Sequence, residues 1–140
     1  DPYVEIQSGG TLTPGTNALT TAGVLTVSNV TLATGSRFRV DLLGPVAGTQ
    51  YDQLVVRPNS SLVLGDATLQ VNLGFEPQPG EVYKVIDVGS GSTVSGRFAC
   101  GDSISATYNG RPYSFIVNYA GGDGNDAVLY LPVGTILLIR

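Results

Sequence analysis

Histidine, methionine and tryptophan are absent from this chain, and cysteine and lysine occur once each. Without histidine, the commonest general base and the commonest imidazole ligand for transition metals are both missing. The single cysteine, Cys100, rules out a disulfide framework within the chain and reads as a small buried hydrophobe. Charge is scarce too, at 13% of residues, about half the usual fraction. The arginines and Lys84 are scattered among eleven acidic residues, so no cationic stripe exists to neutralise phosphates. Nucleic acid is therefore not an expected partner. No apolar run approaches the roughly 20 residues of a membrane span, and the aliphatic run Ile136-Leu137-Leu138-Ile139 spans only four. Membrane insertion is not expected. No signal peptide precedes Asp1-Pro2-Tyr3, which suits a mature product or an excised domain.

What the chain does contain points to strands. Hydrophobic residues make up 42%, and nineteen glycines and eight prolines punctuate intervals rich in valine, threonine, leucine and tyrosine. This is the composition of short strands joined by tight turns, and 140 residues suit a single domain spanning 1–140. Residues 9–75 hold a degenerate repeat of three short strands per copy. Leu25-Thr26-Val27 matches Leu54-Val55-Val56, and Phe38-Arg39-Val40-Asp41-Leu42 matches Leu69-Gln70-Val71-Asn72-Leu73. Both third strands alternate. Phe38, Val40 and Leu42 oppose Arg37, Arg39 and Asp41, which predicts one buried face and one wet face. Residues 80–131 form a hairpin-rich second half. There Asn109-Gly110 sits between Ser103–Tyr108 and Pro112–Tyr119, the strongest short hairpin signal. Residues 133–140 form an apolar tail strand. The expected fold is all-β, a short β-solenoid or a jelly-roll-like β-sandwich, with its strands stacked antiparallel.

Read in order, GGTLTPGTNALTTAGVLTVSNVTLATGSRFRVDL, GTQYDQLVV, GDATLQVNLGFEPQPGEVYKVIDV, GRFA and YSFIVNYAGGDGNDAVLYL form a familiar set. Over residues 9–131 the chain resembles the β-strand repeat, C-terminal passenger-like modules of large bacterial surface proteins of autotransporter type. The resemblance implies a passive extracellular role at a cell surface and brings no catalytic residues. The scarcity of cysteine suits a bacterial exported protein, and the exterior of a virion is the other setting considered.

Gly121-Gly122-Asp123-Gly124-Asn125-Asp126 approaches the nonapeptide that binds calcium in parallel β-rolls. Asp123, Asn125 and Asp126 could supply three oxygens, but calcium takes six to eight and one copy leaves the shell incomplete. The first reading is a glycine-rich turn joining two strands; calcium is the lesser one, and no other cofactor is indicated. Asp52, in Tyr51-Asp52-Gln53-Leu54, would need a second carboxylate in a cleft to act as a glycosidase acid, and reads instead as capping the entry to a strand. Tyr83, Tyr113 and Tyr119 lie in strands and read as packing residues. The sequons at Asn29 and Asn59 read as incidental in a bacterial or viral protein.

The termini are the expected assembly elements: Tyr3, Val4 and Ile6 in an alternating N-terminal strand, and Ile136, Leu137, Leu138 and Ile139 in the tail. Either can add to a sheet edge. The function expected is a non-enzymatic structural subunit of a fibre, surface layer or virion decoration, associating with copies of itself or a host lattice. The alternative is an adhesin-like module that binds glycan or protein and is stabilised by calcium.

Overall fold

The structure, a computed structural model, describes residues 3–15, 22–122 and 124–132. It is all-β, with no helix among the described residues. The chain passes through three sheets in turn and then begins again. The first circuit is β1 (Tyr3–Ile6), β2 (Thr11–Leu12) and β3 (Val24–Val27). The second is β4 (Asn29–Leu32), β5 (Arg37–Leu42) and β6 (Gln53–Val56), and the third is β7 (Ser61–Val63), β8 (Thr68–Leu73) and β9 (Val82–Val88). β10 (Thr93–Ser95) opens a fourth. Each strand lies beside its counterpart in the next circuit, giving sheets β1-β4-β7-β10, β2-β5-β8 and β3-β6-β9. Beyond β9 the last sheet continues through β13 (Asp126–Tyr130), β12 (Arg111–Gly121) and β11 (Ser103–Tyr108).

Antiparallel stacking, expected from sequence, does not describe the circuits. All their pairings, from β1 with β4 to β6 with β9, are parallel. Connectivity explains this: the chain visits two other sheets before returning, so it re-enters each sheet in the same direction. Among the named strands, antiparallel pairing is confined to β11–β12 and β12–β13, where short turns reverse the chain, and to β13–β9, where the returning hairpin lays β13 along β9. The residues matched in sequence are register partners, Leu25 with Leu54 and Leu42 with Leu73.

Register places like on like. Leu25, Leu54 and Ile86 form one column across β3, β6 and β9, and Val27, Val56 and Val88 form the next but one. Leu12, Phe38 and Leu69 stack through β2, β5 and β8, and Val4, Val30, Leu62 and Val94 through the first sheet. Most of these residues are buried, because period-two alternation turns every second side chain into the space enclosed by the three sheets. The turns must be tight for circuits to stack this closely. At Gly65 (φ 55) an added Cβ would collide with the Leu32 carbonyl of the preceding circuit.

One end of the stack is capped over β8 and β9, while β10 keeps one edge without a neighbour among the described residues. β11 packs against β8, folding the hairpin over the third circuit. Phe98 is buried there and stacks on Phe38, with centroids 5.8 Å apart and planes 12° apart. Tyr83 lies fully buried nearby, edge-on to Tyr51, Phe75 and Phe115. At the other end β1, β2 and β3 each have a neighbour on one side only among the described residues. Leu54 is flanked in register on both sides and fully buried. Leu54→Ala should therefore cost about 2–5 kcal/mol in urea unfolding followed by circular dichroism.

Candidate functional site

In the glycine-rich turn, β12 ends at Gly121, which pairs with Asp126 at the start of β13. The Gly124 N–H closes the turn by donating to the Gly121 carbonyl at 2.8 Å. Gly122 (φ 56) is required, because a Cβ there would collide with the Asp126 carboxylate. Asp126 is buried: its Oδ1 accepts the Val88 N–H at 2.7 Å and its Oδ2 lies 3.4 Å from Lys84 Nζ. Asn125 Nδ2 donates to the Gly89 carbonyl at 3.3 Å. The side chains of Asn125 and Asp126 thus tie the turn to the end of β9. Asp123 lies outside the described residues, as do Ile136, Leu137, Leu138 and Ile139 of the expected tail strand. Among the described residues, no three acidic or cysteine side chains gather where a metal could sit.

A second cluster joins residues that the sequence left unconnected. Asp41, expected on the wet face of β5, is fully buried, as is Asp52. Asp52 Oδ1 accepts the Gly23 N–H and its Oδ2 the Asp41 N–H, both at 3.0 Å. The Asp41 Oδ1 accepts Asn72 Nδ2 at 3.0 Å and Arg39 Nε at 3.2 Å. The physical reason for the correction is stacking. Asn72 is the register partner of Asp41 in the next circuit, so the buried carboxylate has a polar neighbour to bond. Neighbouring residues extend the stitching. Gln53 N donates to the Gly23 carbonyl at 3.0 Å, and Gln53 Nε2 donates to the Lys84 carbonyl at 2.9 Å. The Tyr51 hydroxyl accepts the Lys84 N–H at 2.9 Å. Residues 51–53 therefore clamp the circuit before and the circuit after. Both oxygens of the buried Asp52 accept a backbone N–H group.

The other sequence candidates occupy ordinary positions. Cys100 is a free, partly buried thiol, and burial pushes its pKa up, away from thiolate reactivity. Asn29 accepts the Ser61 N–H at 3.0 Å, again bridging two circuits. Tyr119 is a packing residue whose hydroxyl donates to the Gly101 carbonyl at 2.7 Å and accepts the Phe98 N–H at 3.1 Å. Val4 and Ile6 are half-buried in β1, the edge strand that contains Tyr3. Tyr113 packs against the core, as its strand position suggested, and with Tyr108, Asn109, Arg111 and Glu76 it also lines a surface cavity. Only the chain reversal at Asn109-Gly110 could have signalled that grouping from sequence. No protein-family model, curated protein or solved structure matches this chain.

Burial pushes the Asp52 carboxyl above its ordinary range. The N–H groups of Asp41 and Gly23 pull it down without cancelling the rise, to which the Asp41 charge adds. A raised folded-state pKa means the folded protein holds this proton more tightly than the unfolded chain. This titration's contribution to stability is full below the ordinary aspartate pKa and is lost as pH rises through the folded value. Asp52→Ala strands two N–H groups and should cost about 3 kcal/mol at acidic pH. The gap to wild type should narrow as pH rises across that window, as read by urea unfolding at a series of pH values.

Proposed function

We propose that this chain is a structural, non-enzymatic unit: the closing segment of a short, three-faced parallel β-solenoid that assembles through the edges of its first circuit. The observation that carries this reading is the asymmetry of the stack. β9 hands its outer edge to β13, and the hairpin beyond folds back over β8. β1, β2 and β3 keep one edge each without a neighbour among the described residues. Val24 of β3 is 50% exposed, an apolar side chain on an open edge. Such edges pair readily with further strands.

The occupant we assign is the same edge of a second copy. A head-to-tail arrangement would set β3 against β9, whose outer edge β13 already fills. Two first circuits meeting face to face meet no such obstacle and form a closed two-fold contact. The unit therefore ends a stack instead of propagating one. The ordered motifs shared with bacterial surface modules support an extracellular setting, at a cell surface or on a virion. The side chains stitching the circuits support a rigid, passive role, with the buried Asp52 and Asp126 occupied by backbone N–H groups.

Sedimentation across the micromolar range should show wild type passing from monomer to dimer. Val24→Lys should remain monomeric with unchanged circular dichroism, because an edge lysine disfavours pairing. A wild-type chain that stays monomeric, or one that grows into filaments, would contradict the reading.

A further inference from the structure

The hairpin that closes the stack presents an organised concavity. Tyr108 and Arg111 are direct cross-strand partners, as are Ala106 and Tyr113. Paired residues share a face, and so do residues two apart on one strand, so Tyr108, Arg111 and Tyr113 project from the same side of the hairpin. Asn109 (φ 54) and Gly110 (φ 76) both lie in the left-handed region, which fits the tight reversal and fixes the tip. Glu76, from the connection between β8 and β9, completes the wall of a cavity of ≈ 260 Å³.

Among the described residues, no partner takes up the polar side-chain groups around this cavity. Gln78 donates to the main-chain carbonyl of Glu76, and Ser105 to that of Tyr113. Neither bond uses the side chain of Glu76 or of Tyr113. Glu76 and Arg111 border the same cavity without pairing with each other, whereas Arg39 and Arg97 are paired with Asp41 and Asp102. Tyr108 and Tyr113 are partly buried, and Tyr113 packs against the core while bordering the cavity, which holds its ring in place as a wall.

We infer that this cavity is a carbohydrate site that takes the terminal pyranose ring of a neutral glycan. The aromatic walls suit the C–H faces of a sugar ring, which is apolar on its faces and polar at its rim. The rim groups supply a guanidinium donor fork, a carboxylate acceptor and an amide that does both, the set needed for neighbouring hydroxyls. One cation and one anion leave the site without net charge, which favours a neutral ligand over an acidic one. The volume lies below the usual range for pockets of drug-sized ligands, so one ring is accommodated and not an extended chain. The site sits on β11–β12, at the opposite end of its sheet from β3. Pairing through the open edge therefore leaves it exposed.

The test is saturation-transfer NMR and titration of the full chain with cellohexaose, mannohexaose, chitohexaose and sialyllactose. At least one neutral oligosaccharide should bind, with a Kd of about 1 mM as expected for a single-ring site. Tyr113→Ala and Arg111→Ala should each weaken it by about tenfold or more, while Tyr113→Phe retains it. Thermal melts of each variant separate lost binding from lost fold, and Tyr113→Phe provides a second, conservative reading. Binding of sialyllactose alone, binding of no neutral probe, or binding undiminished in folded Tyr113→Ala and Arg111→Ala would each overturn the assignment.

Discussion

The register between successive circuits is the constraint on which the rest of this molecule depends. A single circuit of short strands cannot enclose enough apolar surface to offset the entropy of ordering it. Leu54 is buried because Leu25 lies on one side and Ile86 on the other. The same holds for Phe38 between Leu12 and Leu69. A one-residue slip would turn every second side chain outward, so register and core are a single property here.

Polar residues follow the same logic. Asp41 can be buried because Asn72 is stacked on it and Arg39 lies alongside. Asp52 can be buried because it accepts two backbone N–H groups from two different circuits. Asp126 does the equivalent work at the capped end, pinning the glycine-rich turn to Val88 and Lys84. These carboxylates look like chemistry when read singly in sequence. In place, they are the fastenings between layers, and the freer side chains are those on the hairpin that closes the stack.

The strand character and the chain reversal at Asn109-Gly110 were legible because they depend on local alternation and backbone preference. The equivalence of Leu25 with Leu54 was legible because stacked circuits repeat their pattern. The direction of pairing was not, since a strand reads the same whichever way its neighbour runs. Nor was the burial of Asp41, because alternation reports which side a residue faces and says nothing of the partner stacked upon it. β10 was hidden by its length, three residues among serines and glycines. The cavity was hidden because Glu76 joins it from a connection more than thirty residues away in sequence. Tyr113, read as packing from its place in a strand, does pack against the core and also borders the cavity.

A stack with one capped and one open end makes a claim about where its amides are protected. Strands flanked on both sides have ladders that open only with the core, whereas an edge circuit frays unless another edge covers it. Hydrogen exchange followed strand by strand, at low and high protein concentration, tests this most directly. The account predicts that β6 and β9 exchange slowly at every concentration, while β1 and β3 exchange fast when dilute and slowly when concentrated. Protection of β1 and β3 equal to that of β6 and independent of concentration would contradict it.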